Sequence, residues 1–342
     1  MRVMVTGGAG YIGGHIVACL VGRGDYVLAL DDMSTGRRER VRDVDLVELD
    51  ISRQDSSEPL RDTLSLYGID SVIHCAAKKS VPESLADPLN YLDQNVSSVF
   101  TLLNAVRGSG VRHLVFSSSA AVYGDVDTFL VDENAPTKPI NPYGLSKLIG
   151  EQLIASSATS LGLSAANLRY FNVAGSASAL LSETAGSNLI PQVIRTVSRG
   201  ERPIIFGNQY KTRDGTCVRD FIHVSDLASA HLSVLDHLAG TDPGCATFNV
   251  GTGRGATVGE IIDLILDAMA SDLTPDVRSR RDGDPASVVA SSHLIRETTA
   301  WAPAFSTIDM VRSAVDAYNQ SGPTPRVMTS EVGAVGNEIA EI

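Results

Sequence analysis

The stretch Val3-Met4-Val5-Thr6-Gly7-Gly8-Ala9-Gly10-Tyr11-Ile12-Gly13 decides the fold. Its apolar, β-branched opening predicts a buried strand, and Gly8, Gly10 and Gly13 give the spacing GxGxxG just before a helical run. In that context one glycine makes a tight turn, one lets the backbone approach a pyrophosphate, and one allows close contact between helix and strand. Amides at the helix N-terminus then bind phosphate. The alternative, a glycine turn without a ligand, is disfavoured by the flanking strand and helix.

Working outward, the first half of the chain repeats this alternation of strand and helix. Short apolar runs bounded by turn residues predict five strands, at Val3–Val5, Val27–Leu30, Leu46–Leu49, Ser71–His74 and His113–Phe116. Longer amphipathic stretches between them predict helices around His15–Val21, Leu60–Tyr67 and Leu89–Val106. The alternation predicts an α/β fold, a Rossmann-type doubly wound parallel sheet with helices on both faces.

The length of 342 residues favours two domains at about 150 residues each. We expect a dinucleotide-binding domain at 1–170, to which parts of 218–250 return, a smaller C-terminal α/β lobe at 171–320, and a tail at 321–342. Helices of the lobe are expected at His223–His237, Thr257–Met269 and Ile308–Tyr318. The connections Ser176–Ser187 and Gly207–Gly215 are long enough to be functional.

Composition excludes several classes of protein. With 28 Lys and Arg against 40 Asp and Glu, the net charge is −12, which argues against a nucleic-acid partner. An anionic ligand must then be held by a few placed donors. The sequence has neither a signal-peptide pattern nor about 20 consecutive apolar residues, so we expect no membrane partner and a cytoplasmic location. The four cysteines form no CxxC pair, so neither a zinc site nor a disulfide framework is expected.

Acidic residues at strand ends predict which dinucleotide binds. Asp31 and Asp32 follow the last fingerprint glycine by eighteen and nineteen residues, the distance at which a carboxylate accepts the adenosine ribose hydroxyls. A carboxylate there repels a 2′-phosphate, which favours NAD, whereas Arg37 and Arg38 leave NADP open. Asp50-Ile51, at the end of the third strand, would flank the adenine, with helix capping by Asp50 as the alternative.

A second pattern predicts the chemistry. Tyr143 and Lys147 are four residues apart after Asn141-Pro142, so they share one face of a helix. An amphipathic surface helix is the alternative reading of such a pair. Ser117-Ser118-Ser119 closes the fifth strand, however, and ligands gather at the carboxyl ends of strands in open parallel sheets. The serines and the Tyr/Lys pair together predict a catalytic site.

At these residues the chain resembles the extended short-chain dehydrogenase/reductase family, and within it the UDP-hexose 4-epimerase subgroup. The resemblance runs from residue 1 to about 320. It is carried by TGGAGYIG (6–13), SSSAAVYG (117–124), PYGLSK (142–147), RYFNVAG (169–175), GNQY (207–210) and DGTCVRDFIHV (214–224).

The resemblance implies an NAD-dependent 4-epimerase of UDP-sugars that works through a transient 4-keto sugar. Tyr143 would take the proton of the sugar 4-hydroxyl, and Ser119 would hydrogen-bond the 4-oxygen. Lowering a phenol pKa by about 3 units takes about 4 kcal/mol, and a Lys147 ammonium at about 6 Å supplies about 3 kcal/mol. Positive charge on the nicotinamide ring would add the rest. The family also implies a homodimer packed through Leu89–Val106 and Tyr143–Ser157.

The family's binding residues map onto this sequence by motif. Those implied for the cofactor are Gly7, Gly10, Tyr11, Ile12, Gly13, Lys79, Asn95, Ser117, Tyr143, Lys147 and Tyr170, beside the acidic positions above. Those implied for the substrate are Ser119, Tyr143, Asn172, Asn188, Arg219, Arg281, Asp284 and Val288. Helix capping by Asn188 and a surface ion pair between Arg281 and Asp284 are the alternative interpretations.

Two departures from the family pattern bear on specificity. The connection Ser176–Ser187 is shorter and less charged than usual. Val288 stands where the family often has a bulky aromatic residue, which predicts room for an N-acetyl group on the sugar.

Other functions remain open on the same scaffold. Ala120-Ala121 after the serines disfavours a 4,6-dehydratase, which carries acidic residues there. A UDP-glucuronate 4-epimerase or decarboxylase needs a cation for the carboxylate, and a non-catalytic NAD-binding regulatory protein would not require Tyr143.

Overall fold

The computed structural model describes residues 1–126, 130–183, 188–281 and 285–321. Its centre is a parallel sheet whose inner strands are mostly apolar and buried on both faces, as helices on either side require. The strands are β1 (Arg2–Thr6), β2 (Tyr26–Asp31), β3 (Asp45–Glu48), β4 (Ser71–His74), β5 (His113–Ser117), β7 (Ser164–Tyr170) and β11 (Gly244–Val250). Their spatial order is β11-β7-β5-β4-β1-β2-β3, which places the doubly wound switch between β1 and β4. The predicted fold class is confirmed.

Helices cover both faces of this sheet. On one face α1 (Tyr11–Arg23) packs against α7 (Val224–Leu238), and α9 (His293–Thr299) adjoins α7. On the other face lie α2 (Ser57–Leu66), α4 (Pro88–Val106) and α5 (Pro142–Leu161), with the short α3 (Val81–Ala86) beside α4. α4 begins where the Asp87 carboxylate accepts the Asn90 amide and a proline occupies the first helical position.

The second lobe has its own small sheets and core. One sheet consists of β6 (Leu130–Val131), β8 (Asn172–Ala174), β10 (Val218–His223), β12 (Gly255–Thr257) and β14 (Ser287–Ala290). The other pairs β9 (Ile204–Phe206) with β13 (Asp276–Arg278). Three amphipathic helices bury their apolar faces together here, α6 (Leu189–Ser198), α8 (Val258–Ala268) and α10 (Thr307–Ser321).

Two boundaries differ from the sequence expectation, and a third, within 218–250, can be stated more specifically. β3 ends at Glu48, so Asp50-Ile51 lie in the following loop rather than on the strand. Within 218–250, β10 belongs to the second lobe, whereas α7 and β11 pack on the first sheet. α10 extends to Ser321, one residue into the segment expected to be a tail, whose remainder lies outside the described residues.

A membrane-spanning segment would need a long, uniformly apolar helix. None of the helices in the described part of the chain has that character.

Candidate active site

The glycine turn between β1 and α1 has no room for side chains. A Cβ on Gly13 would lie 2.0 Å from the Gly7 carbonyl oxygen, and one on Gly7 would lie 2.8 Å from the Ala76 amide nitrogen. Gly7 also has a φ of +67°, which glycine adopts without strain. α1 therefore begins close against the turn. Its first-turn amides have no acceptors within the helix, and that turn contains no acidic residue, so this end can receive phosphate oxygens.

Asp31 and Asp32 end β2 in different environments. Asp31 is buried, and its carboxylate accepts the amides of Ala9 and Met33, each at 3.0 Å. Asp32 is exposed and accepts the Ser34 amide at 2.9 Å. Burial raises the pKa of Asp31, and the two amides oppose that rise. Asp31 therefore ties the end of β2 to the glycine turn, and both carboxylates line the cleft beside it.

The two arginines considered for a 2′-phosphate contact other groups. Arg38 forms an exposed ion pair with Glu48, and the Arg37 Nε lies 3.9 Å from a Glu39 carboxylate oxygen. Neither arginine lines the cleft. Neither Arg37 nor Arg38 is therefore placed to balance the charge of a 2′-phosphate at the acidic end of β2.

Asp50 and Asn95 shape the walls of the cleft. The Asp50 carboxylate accepts the Ser52 amide at 2.9 Å, which makes a local turn, and the helix-capping alternative does not apply because Asp50 is not the residue that precedes α2. The Asn95 side chain accepts the Lys78 amide at 2.8 Å and donates to the Lys78 carbonyl and the Ser146 hydroxyl, each at 3.0 Å. Asn95 therefore fixes the loop after β4.

α5 carries the Tyr/Lys pair against the serine turn. Its N-cap Asn141 accepts the Gly144 amide at 2.8 Å, and Pro142 takes the first helical position. A Cβ on Gly144 would lie 2.4 Å from the Ala121 carbonyl oxygen, so glycine permits the close approach of α5 to the turn after β5. This approach brings Tyr143, which is 8 % exposed, next to the Ser119 hydroxyl.

Lys147 is buried one turn further along α5. Its Nζ donates to the Ser117 carbonyl at 2.8 Å and lies 4.9 Å from the centre of the Phe116 ring. Burial lowers the pKa of Lys147 to about 8, while Cys75 and Glu151 oppose that change.

The sequence expectation for the Tyr143 phenol needs a correction. Lys147 was expected to supply most of its acidification, but among the protein's own groups burial raises the pKa of Tyr143 and the Ser119 hydroxyl only partly lowers it. Desolvation of the phenolate is the largest cause of this rise, and Lys147 is not among its causes.

The cleft spans about 520 Å³, within the range of about 300–1,000 Å³ usual for small-molecule sites. Most residues expected to bind the cofactor line it: Gly7, Gly10, Tyr11, Ile12, Gly13, Asp31, Asp32, Asp50, Ile51, Lys79, Asn95, Tyr143, Lys147 and Tyr170. Ser117 lies behind the wall and is fully buried.

Apart from Tyr143, those residues expected to bind the substrate that the structure describes do not line this cleft. Arg219 and Val288 are register partners on β10 and β14, and Val288 packs on the cluster that contains Phe171. The Arg219 guanidinium donates to the carbonyls of Val218 at 2.8 Å and Pro285 at 2.9 Å.

The remaining described substrate candidates in the second lobe are Asn172, Arg281 and Asn188. Asn172 is exposed on β8, and Arg281 lies with its guanidinium 4.0 Å from the centre of the Phe206 ring. Asn188 precedes α6, but its side chain donates to Glu183 at 2.8 Å and makes no cap hydrogen bond. Asp284, and with it the alternative of an ion pair to Arg281, lies outside the described residues.

The residues that line the cleft and that sequence reasoning missed include Arg40, Cys75 and Glu183. Arg40 donates to the Ala9 carbonyl at 3.2 Å, and Glu183 accepts from Lys79 at 2.6 Å. No motif marks Arg40 or Cys75. Glu183 had one available signal, since it is the only charged residue between 176 and 187.

Comparison with known proteins agrees with this geometry. Residues 3–251 match the NAD dependent epimerase/dehydratase family. The UDP-glucose 4-epimerase of Azospirillum brasilense is 42% identical over 320 residues, which cover 92% of this chain and 91% of that protein. The UDP-glucose 4-epimerase of Corynebacterium glutamicum is 39% identical over 307 residues, covering 89% and 91%.

Two solved structures extend the comparison. The UDP-glucose 4-epimerase of Stenotrophomonas maltophila, with bound NAD and formylated UDP-arabinopyranose, superposes with a TM-score of 0.88 at 37% identity, covering 94% of this chain and 98% of that one. The UDP-Glc/GlcNAc 4-epimerase of Campylobacter jejuni gives a TM-score of 0.81 at 33% identity, covering 93% and 99%.

Proposed function

Because the chain belongs to the NAD dependent epimerase/dehydratase family, we propose that it is a UDP-hexose 4-epimerase that keeps NAD bound through the reaction. The observation that carries this proposal is the Tyr143/Lys147 pair, which opens into the same cleft as the glycine turn and the acidic end of β2. A phenol, an ammonium and a dinucleotide site in one cleft suit removal of a proton and a hydride from one carbon.

The cleft fits NAD. Gly7 and Gly13 leave the backbone bare where a pyrophosphate would approach, and Asp31 and Asp32 offer carboxylates for ribose hydroxyls. Lys79 adds a cation to the lining of the cleft, where its ammonium lies 2.6 Å from a Glu183 carboxylate oxygen. The chemistry that bound NAD supplies is reversible acceptance of a hydride.

The protein's own side chains would manage the proton. Tyr143 takes it from the sugar 4-hydroxyl, and the Ser119 hydroxyl holds the 4-oxygen. Lys147 anchors the nicotinamide ribose and adds positive charge beside the phenol. Because burial raises the pKa of Tyr143, the phenol becomes a usable base only when further positive charge enters the cleft.

For the nucleotide sugar we propose binding by the second lobe. Arg219 and Arg281 are the candidate cations for the diphosphate, Asn172 and Asn188 are candidate amides, and Asp284 is a candidate for the uridine ribose. The Arg281 guanidinium over the Phe206 ring offers a surface on which a planar base could pack. Loose holding of the hexose itself would let the 4-keto sugar turn over and take its hydride back on the other face.

Val288 supports a broader sugar specificity. Its small side chain packs near Phe171 on the strand that pairs with Arg219. We therefore propose that UDP-N-acetylhexosamines are accepted as well as UDP-glucose and UDP-galactose.

The test is incubation of the purified protein, without added NAD, with UDP-galactose, UDP-N-acetylglucosamine and UDP-glucuronate in separate reactions. Formation of the C4 epimers of the first two supports both the reaction and the retained cofactor. Turnover of UDP-glucuronate alone would favour the uronate enzymes, and no turnover of any sugar would favour a regulatory NAD-binding protein.

We further propose a cytoplasmic homodimer. All four cysteines are free thiols, as expected in a reducing compartment. Leu85, Leu89 and Phe100 are exposed apolar residues on α3 and α4, and such a patch suits a subunit interface.

A further inference from the structure

The chain that follows β8 crosses from the second lobe onto the first. We call residues 175–183 the bridging segment. At its start, the Tyr11 hydroxyl donates to the Gly175 carbonyl at 2.6 Å, and the Ala177 amide donates to the His15 Nε2 at 3.1 Å. Tyr11 and His15 belong to the first two turns of α1. The bridging segment therefore begins against the end of α1 that follows the glycine turn.

The other end of the bridging segment is held from both sides of the cleft. On the side of β1 and β2, the Arg40 guanidinium donates to the Ser182 carbonyl at 2.6 Å and to the Ala9 carbonyl at 3.2 Å. On the side of β4, the Lys79 ammonium donates to the Glu183 carboxylate at 2.6 Å. Because β1 and β4 flank the doubly wound switch, the ion pair between Lys79 and Glu183 spans the crevice in which a dinucleotide binds.

The two partners of this ion pair differ in burial. The Glu183 side chain is 4% exposed, whereas the Lys79 side chain is 43% exposed. Glu183 also accepts from the Asn188 side-chain amide, at 2.8 Å and 2.9 Å. A buried carboxylate requires a counter-charge, and a lysine ammonium on its flexible stem otherwise extends into water. Glu183 therefore determines where the Lys79 ammonium lies.

The position of that ammonium suits an anionic cofactor. The contact with Glu183 uses one of its three N–H donors, so donors remain for phosphate oxygens. Lys79 and the glycine turn line the same cleft. Since the ammonium and the carboxylate neutralise each other, the pair brings no net negative charge to the site of the pyrophosphate.

Resting on the proposed function, we propose that Glu183 is a positioning residue for the cofactor: by holding the Lys79 ammonium across the crevice, it ties bound NAD to the second lobe and slows its release. Glu183 acts through Lys79, because a carboxylate on its own repels a pyrophosphate. The ion pair then gives a physical reason for NAD to stay bound while one nucleotide sugar leaves and the next enters.

The first test measures exchange of NAD in the full-length protein, loaded with NAD, freed of the excess and mixed with a large excess of the fluorescent analogue etheno-NAD. Glu183→Leu cannot accept from Lys79, so we expect exchange about tenfold faster, as for the loss of a charge-assisted hydrogen bond. Glu183→Gln keeps a neutral acceptor of the same length, and its rate should lie between those of wild type and Glu183→Leu.

The matched control is Asp276→Asn, which removes the carboxylate of an exposed ion pair with Arg202 in the second lobe. Asp276 does not line the cleft, so its exchange rate should equal that of wild type. Slower exchange in Glu183→Leu would mean that the carboxylate only repels NAD, and it would overturn the proposal. An unchanged rate in a folded Glu183→Leu protein would do the same.

The second test repeats the substitution in Lys79→Met. Without an ammonium to hold, loss of the carboxylate should leave the exchange rate unchanged or slow it, because an unpaired negative charge is then removed from the cleft. A purely structural role for Glu183 would speed exchange by the same factor in both backgrounds and would overturn the proposal. The double variant replaces an ion pair by two apolar side chains, a change that proteins often tolerate.

The outcomes also separate this proposal from the proposed function. A wild-type protein that takes up no NAD would overturn both. If it binds NAD but turns over no UDP-hexose, the proposed function fails, while the exchange rates still decide the role of Glu183.

Discussion

Tyr143 is subject to two opposed influences. Burial beside Ser119 raises the pKa of the phenol, and the positive charge in the cleft favours its anion. In the reaction that we propose, its hydroxyl moves a proton in each half, so removing that hydroxyl while keeping the ring tests its role.

We therefore expect Tyr143→Phe to lower kcat by about 10²–10⁴, the usual contribution of a positioned general base. The affinity for UDP should change little, since only one oxygen is lost from a wall that otherwise keeps its shape. Initial rates and UDP calorimetry measure the two quantities. Tyr318→Phe, which removes an exposed hydroxyl bonded to Ser198, is the control, and equal rates in both variants would contradict the assignment.

We expect the sugar specificity also to depend on a single side chain, that of Val288. Val288 packs between the Phe171 cluster and β10, so a larger residue must displace a sugar substituent or a neighbouring ring. Val288→Tyr should lower kcat/KM for UDP-N-acetylglucosamine at least tenfold more than for UDP-glucose, which corresponds to about 1.4 kcal/mol. A matched series of initial rates on both sugars tests this, and Val288→Ile provides the control of intermediate size.

For single residues, the sequence predicts which side chains are functional better than it predicts the burial and contacts of those side chains. The spacing of Tyr143 and Lys147 is fixed by helical geometry and needs no tertiary knowledge. The direction of the pKa change at Tyr143 depends on how closely α5 packs against the Ala120–Val122 turn. That distance is set by Gly144 and its neighbours in space. Glu183 and Arg40 were missed because the folding of separate segments creates their contacts.

At the scale of the element, the start of α1 is the most constrained piece of backbone. A Cβ at Gly13 would lie 2.0 Å from a carbonyl oxygen of the preceding turn, whereas one at Gly22, on the same helix, would have no atom within 4 Å. Two substitutions on one helix therefore have opposite consequences.

Gly13→Ala should force α1 away from the turn, destabilise the fold by several kcal/mol and lose most of the bound NAD. Gly22→Ala should instead stabilise by about 0.5–1 kcal/mol, because alanine is the better helix former. Urea unfolding and the NAD content of heat-denatured samples measure both effects. Full NAD content in Gly13→Ala would mean that the turn does not hold the pyrophosphate.

Strand existence was predictable because the inner strands of the central sheet are buried on both faces and are mostly apolar. Strand ends were less so, since β3 ends at Glu48 where its burial pattern is only partial. In the second lobe, β8 and β10 pair at Asn172 and Phe221, which are 49 positions apart, and such long-range pairing leaves no local pattern in the sequence.

At the scale of the whole molecule, four buried histidines couple stability to pH. Burial lowers the pKa of His15, His223 and His231 to about 4 and of His74 to about 3. In the unfolded chain their pKa is about 6.5, so below that pH the unfolded state binds more protons and stability falls.

Between pH 7.5 and 5.5 each of these histidines should cost about 1 kcal/mol of unfolding free energy. Buried carboxyls such as Asp31 and Asp220, whose pKa burial raises, act in the opposite direction only at lower pH. Urea unfolding at the two pH values gives the slope, and His15→Gln should reduce it by one histidine's share. A stability that does not change over this range would contradict the neutral, buried state of these rings.

Assembly is the last property that belongs to the whole molecule. Leu89 is 78% exposed and Phe100 is 54% exposed. They lie eleven residues apart on α4, about three turns, so both project from one face of that helix. An isolated apolar side chain on a surface needs no explanation, but two on one helical face beside the exposed Leu85 form a patch that association would cover.

Light scattering should therefore give twice the chain mass, and Leu89→Asp/Phe100→Asp should give the monomer mass, because burying two carboxylates in an apolar interface is strongly unfavourable. Leu66→Asp is the matched control, since Leu66 is 81% exposed on α2 and lies off this patch. A dimer that survives the double substitution would place the interface elsewhere. If the monomer retains full turnover, each subunit holds a complete site, as expected when the cleft, Tyr143 and Lys147 all belong to one chain.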